Sequence, residues 1–290
     1  GDLLLDGGIS GAGNLYFHGY PHATEDMAFM LNADNSGFSG GVTLGRGDLF
    51  LNNSNALTAA NAVLLTPVGS GTNAALRIWN RSVTIGALSS GGTGNAVVSG
   101  SGPLAALTVC QNANTTFAGT LTQQNARRVY TSGSALAFTK AGTGTLTLSG
   151  VNTYSNTTAI NAGTLKLAAT GSLASTNIVI AAGGVFDVTA KPTYCLAAAN
   201  TYTFGVNSAV TGAVGRISAA GLDISNAKAV FNVASLPDGR FYVLATYTNL
   251  TGTAFAKVTG RPAGYLIDYN YKDTKQIVLV KCGGTMIQLH

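Results

Sequence analysis

Three observations predict an all-β protein made of short strands that stack coil upon coil. Apolar residues alternate strictly over short runs: Leu146 and Leu148 share one face of a strand, and Leu165 and Leu167 share one face of another. Glycines and asparagines punctuate these strands at Gly142, Gly144, Gly150, Asn152, Asn161 and Gly163, so the two leucine pairs lie about one solenoid coil apart and one pair can sit on the other. Charged residues make up only 9% of the 290, against roughly 25% in an ordinary soluble domain. Glu25 is the only glutamate, and no acidic residue lies between Asp48 and Asp187. The polar positions carry Thr, Ser, Asn and Gly, which suit strands and turns, rather than the Glu, Lys, Gln and Arg of an exposed helix face.

The elements follow in order. Ile9–Phe17 opens a first unit, and Phe29–Leu51 repeats the pattern of 138–167 more loosely. Asn35 takes the place of Asn152 and Phe38 that of Tyr154, after one extra residue. Leu44, Gly47, Leu49 and Leu51 take the places of Ile160, Gly163, Leu165 and Leu167. Between them, Tyr20–Asp26 breaks the rhythm and reads as a protruding loop. Residues 52–137 continue with alternating runs at Ala75–Ile78, Ser82–Ile85, Ala96–Ser99 and Leu104–Val109, separated by Asn-, Gly- and Ser-rich turns. Leu88–Gly94 is a glycine-rich turn with no strand–helix context for phosphate binding. Residues 168–235 keep the rhythm, with strands near Ile178–Ala181, Gly184–Val188, Tyr202–Val206 and Ala229–Val233. From Leu236 the texture changes. After the turn signal at Pro237–Arg240, the strands Phe241–Tyr247, Tyr265–Tyr271 and Gln276–Lys281 are longer and more aromatic, and Tyr269–Ile277 reads as a hairpin.

The run from Phe138 to Leu167 closely resembles the autotransporter-associated β-strand repeat, also called the passenger-associated transport repeat. It matches at Gly142, Gly144, Leu146, Leu148, Gly150, Asn152, Tyr154, Asn161, Gly163, Leu165 and Leu167, and departs at Asn156, where the repeat usually carries Gly. The block after Leu236 resembles the closing segment that often follows such repeats. The resemblance implies an all-β, right-handed parallel β-helix (β-solenoid) with a C-terminal antiparallel β cap, on a bacterial surface-exposed or secreted protein that is usually no enzyme. The expected division is a repeat domain over 1–235 and a capping segment over 236–290 that covers the open sheet edge. Asparagines at the turns are expected to form amide ladders, each side chain bonding its neighbours above and below.

Charge and chemistry point the same way. The net charge of +5 comes from scattered basic residues, with Arg127–Arg128 the only adjacent pair, so no nucleic-acid surface is expected. Asp34 and Asp48 fall in one repeat copy, but Asp48 is expected at a turn, and no paired carboxylates suited to glycoside hydrolysis stand out. His18 and His22 with Glu25 and Asp26 read as a polar loop rather than a metal site, and no cofactor is expected. Aromatics that could line a glycan-binding face are Tyr16, Tyr20, Trp79 and Tyr130. Cys110 and Cys195 read as small buried residues, while Cys282 is the candidate for a disulfide or an intersubunit bond. Asn52, Asn80, Asn114, Asn156 and Asn249 begin Asn-x-Ser/Thr sequons and are candidate glycosylation sites. No run of ~18 apolar residues exists to cross a membrane as a helix. The sequence therefore predicts a mature, secreted, non-enzymatic structural protein: a surface stalk, an adhesin or a filament subunit that self-associates head to tail. The alternatives are a carbohydrate-binding or carbohydrate-cleaving β-helix, and a passenger fragment of an autotransporter. A glycan or a host-cell surface ligand is the expected external partner.

Overall fold

The computed structural model describes residues 2–19, 27–69, 72–123, 136–196, 200–207, 209, 214–235 and 241–282. The loop expected at Tyr20–Asp26, the Arg127–Arg128 pair, Tyr130 and the signal Pro237–Arg240 lie outside these residues. The described chain is all-β, with a single 3-10 turn at Tyr271–Asp273. Among the described residues no helix is long and apolar enough to cross a membrane. The chain divides into two compact units, one of residues 1–159 and 163–176, the other of 160–162 and 177–290.

The first unit is a parallel β-solenoid with three sides. One side stacks Leu3–Leu5, Ala28–Leu31, Val42–Leu51, Asn73–Trp79, Asn95–Ser101 and Thr120–Thr122, every neighbouring pair parallel. The second side stacks Ser82–Ile85, Ala106–Cys110 and Ala137–Ala141. The third begins with Leu15–His18, the first half of Val42–Leu51, Ala62–Leu65 and Ala87–Ser90, and includes Thr115–Phe117, Thr145–Leu148 and Thr164–Leu167. The strand Val42–Leu51 serves two sides because it turns a corner at Gly47, whose φ of 106° is open to glycine and strained for other residues. Ala87–Ser90 is a strand, so the glycine-rich turn expected over Leu88–Gly94 is confined to its second half.

Register explains why alternating sequences build this unit. Leu49, Leu76, Val98 and Leu121 are direct partners down the first side, Val83, Leu107 and Phe138 down the second, and Phe117, Leu148 and Leu167 down the third. All of these side chains are buried. Each such burial contributes roughly 1.5–3 kcal/mol. The residues between them face outward and are small or polar, as in the row Thr84, Thr108 and Thr139.

The second unit is built in the same way. Asn177–Ile180, Thr201–Val206, Lys228–Val233 and Lys257–Thr259 form one parallel sheet. Val185–Val188, Arg216–Ala219 and Phe241–Thr246 form a second, and Tyr194–Cys195, Gly221–Asp223 and Asn249–Thr251 a third. Inside, Ile180, Phe204 and Phe231 stack, the two rings 5.8 Å apart. Residues 241–259 thus supply one more parallel coil. Direction reverses only afterwards: Gln276–Lys281 runs antiparallel to Phe241–Thr246, and Tyr265–Asp268 antiparallel to Gln276–Lys281. This is the antiparallel cap, and it occupies the last strands of the region where the sequence changes texture.

Candidate functional site

The motif leucines of 138–167 lie within strands, and its glycines lie at the turns between them. Leu146 pairs with Leu165 and Leu148 with Leu167, all four fully buried. Gly142 and Gly163 adopt φ of 74° and 64°, and a Cβ on either would strike the backbone carbonyl of a neighbouring coil, Gln111 in one case and Gly142 and Gly144 in the other. Gly144 and Gly150 pack just as tightly against the preceding coil, at Ala113 and Gly119. These corners are therefore closed by backbone touching backbone.

Near these corners the strands are only two or three residues long, as in Thr120–Thr122, Val151–Asn152 and Ser172–Leu173, and backbone groups without a ladder partner must be satisfied by other means. Asn152 does this. Its Oδ1 accepts from the Leu121 N–H of the preceding coil at 3.0 Å. Its Nδ2 donates to Gly150 at 3.0 Å and to Ser172 of the following coil at 2.8 Å. Asn35 occupies the equivalent place, as the sequence predicts: Oδ1 accepts from Ile9 N–H at 2.8 Å and Nδ2 donates to the Ala56 carbonyl at 3.1 Å. Two further buried amides do the same work and escaped the sequence reading. Asn61 donates to the carbonyls of Phe38 and Gly40, and Gln111 to those of Ala113 and Thr145. A polar amide directly beside a strand's end was the available signal.

Amide ladders of the expected side-chain-to-side-chain kind exist at the surface, from Asn52 to Asn32 at 2.8 Å and from Asn95 to Asn73 at 3.3 Å. The buried corner amides bond backbone instead, because there the unsatisfied partners are peptide groups.

Tyr154 is fully buried, with its ring 6.1 Å from Phe138 and its hydroxyl 2.7 Å from Thr158 Oγ1. Burial pushes its phenol well above the usual range. Lys140 is also buried, and its Nζ donates to the carbonyls of Ala141 and Gly142 at 2.7 and 2.8 Å. Burial lowers the ammonium to about 8, with the Cys110 thiol opposing the shift. Asn161 is exposed in the second unit and lines a shallow cavity there.

Several expectations need correction. Asp48 is not at a turn. It lies within Val42–Leu51, faces outward, is buried, and accepts from Arg77 Nε at 2.9 Å. The extended strand pairs it with Ala75, two residues from Arg77 on the same face, and the ion pair satisfies both charges. Asp34 bonds Asn55 and Ser36, which hold its carboxyl below the ordinary value. Cys195 is exposed rather than buried, because the two-residue strand Tyr194–Cys195 turns it outward; partial burial and the neighbouring Asp223 carboxylate push its thiol up. Cys110 is half-buried and Cys282 exposed, and all three are free thiols.

Tyr16 and Trp79 are exposed but lie on different sides of the first unit, so they form no common platform. Among the described residues no group of three or more His, Cys, Asp or Glu is placed to hold a metal. Of the sequon asparagines, Asn114, Asn156 and Asn249 are exposed, and Asn52 and Asn80 are half-buried. Thr158, the hydroxyl of the Asn156 sequon, is buried against Tyr154.

No curated protein gives a significant match to the chain. The family model for the passenger-associated-transport-repeat matches residues 138–167, the segment whose leucine ladder, glycine corners and Asn152 bridge are described above. The chain is accordingly a parallel β-solenoid that carries a passenger-associated-transport-repeat.

Proposed function

We propose that the chain is a non-enzymatic extracellular structural protein, the passenger part of an autotransporter or a relative of one, displayed at the cell surface or released from it. The observation that carries this reading is the match of residues 138–167 to the passenger repeat, in a segment whose leucines, glycines and Asn152 serve coil-to-coil packing. The two carboxylates of the first repeat copy support it, since Asp48 is committed to Arg77 and Asp34 to Asn55 and Ser36. In this reading residues 1–235 are the repeat domain. Residues 236–290 are a capping segment that adds one parallel coil before the antiparallel strands.

Within that class the protein serves as a stalk, an adhesin or a subunit that associates head to tail through its sheet edges. Exposed Cys282 is the candidate for a bond between subunits, and Asn114 and Asn249 are the sequons best placed for a sugar. Electron microscopy of native secreted material, with and without reductant, tests this. Filaments with a regular axial repeat indicate a fibre subunit, and their loss on reduction assigns the joint to a cysteine. Isolated particles indicate a stalk or adhesin. Release of reducing sugars from a polysaccharide panel overturns the non-enzymatic reading.

A further inference from the structure

The second unit holds a cavity of about 420 Å³ on the outward side of its first sheet, lined among others by Asn161, Val179, Thr203, Gly205, Asn207 and Asn232. Register puts it there: Val179 pairs with Thr203, and Gly205 with Asn232 on the next coil. Position 205 has no side chain, which lets the backbone of Ala181 and Ala182 pass close beside it. A Cβ there would meet the backbone of Ala181 and Ala182 at 2.8–3.1 Å.

The lining has a definite chemistry. Three carboxamides and one hydroxyl stand around a floor of Val179, Gly205 and alanines, with no charged residue. The side chains of Asn161 and Asn232 make no hydrogen bond among the described residues. Asn207 uses its Oδ1 to accept from Ala209 N–H and Ser235 Oγ, which fixes the side chain and leaves its amide hydrogens unengaged among the described residues.

We infer that this cavity binds one residue of a neutral glycan. A carboxamide offers donor and acceptor side by side, as a pair of vicinal hydroxyls requires. The aliphatic floor suits the C–H face of a sugar ring. An anionic or cationic ligand would find no counter-charge and would lose hydration without compensation. A peptide strand is disfavoured, because the site lies on the face of a sheet whose backbone groups are already paired, and only side chains meet the ligand. The volume falls in the ordinary range for small-ligand sites, roughly 300–1,000 Å³. The inference goes beyond the passenger reading and stands or falls separately from it, because the cavity lies outside the matched repeat apart from Asn161.

The test uses the full ¹⁵N-labelled chain titrated with cellohexaose, mannohexaose and chitohexaose, with polygalacturonate as the anionic control. The side-chain amide signals of Asn161, Asn207 and Asn232 are read. At least one neutral oligosaccharide is expected to shift all three. The exposed double variant Asn161→Ala/Asn232→Ala is expected to weaken that binding about tenfold or more, with an unchanged melting temperature. Three results overturn the inference: no shift of these signals with any neutral oligosaccharide up to roughly 10 mM, where a millimolar complex saturates; equal binding by the double variant; or preference for polygalacturonate.

Discussion

The coil of residues 138–167 and the C-terminal segment 241–281 solve opposite problems. In the former, strands recur after 19 residues (Leu146 to Leu165), and leucine sits on leucine. Corners are closed by glycine, and an asparagine answers the peptide groups that the sheets leave over. In the latter, strand direction reverses and aromatic pairs replace the aliphatic ladder: Phe241 with Tyr271 at 5.1 Å, Phe255 with Tyr269 at 5.6 Å, Tyr242 with Tyr265 at 6.1 Å. Its turn uses left-handed backbone at Lys272, Asp273 and Lys275 rather than at glycine, and Phe241 and Leu266 stay about half exposed. A coil can be short and plain because its neighbours complete it. A terminus has a neighbour on one side only, and larger side chains supply the missing packing.

Four experiments break or sharpen this contrast. The largest effect is expected for Asn152→Ala. It leaves the Leu121 N–H and the Gly150 and Ser172 carbonyls without their partner, and should cost about 3–5 kcal/mol in urea unfolding. An unchanged midpoint would show that corner amides are dispensable. Next come two glycines of nearly equal φ, Gly142 at 74° and Gly264 at 77°. Gly142→Ala meets the Gln111 backbone as well as the φ penalty and should cost about 2–4 kcal/mol, whereas Gly264→Ala meets open space and should cost about 1–2 kcal/mol. Equal losses would mean that conformation alone, and not coil contact, selects glycine in the repeat.

The third is a pH profile. Lys140 titrates near 8 in the fold and at 10.5 in the unfolded chain, so between these values the unfolded chain binds more protons and stability rises with pH. Above about pH 10 the buried tyrosines act in reverse. Burial raises Tyr154 and also lifts Tyr202 to about 12, so each holds its proton in the fold where the unfolded chain loses it, and stability falls. Lys140→Met should abolish the rising limb and leave the falling one. The smallest effect is expected for Leu266→Ser in the cap, within about 0.5 kcal/mol, since the side chain is half exposed.

How far the sequence was legible follows the same contrast. Leu146, Leu148, Leu165 and Leu167 announce their strands because period-two alternation is a local property. Asn35 could be matched to Asn152 because the surrounding pattern fixes its place in the coil. Asn61 and Gln111 do the same work outside any recognisable pattern, and their partners on neighbouring coils, Phe38, Gly40 and Thr145, lie 21–34 residues away in sequence. Asp48 was misplaced for a related reason. Its place just before the strand residue Leu49 suggested a turn, whereas the strand already runs through it from Val42, and Arg77, 29 residues on, neutralises the carboxylate. The cavity at Gly205 was invisible, since it depends on which residues of successive coils fall beside one another.

The bridge at Asn152 also has a mechanical meaning. Two of its three bonds tie it to the peptide groups of the preceding and the following coil, so an interior coil cannot leave without orphaning groups on both sides. Pulled from one end, the first unit should therefore yield coil by coil from a free edge rather than all at once. With coils of about 20 residues in this region (Val151 to Ser172 spans 21), each release should lengthen the chain by roughly 70 Å, at ~3.5 Å per residue. A tether made this way lengthens in small steps under load and keeps the rest of its stack intact.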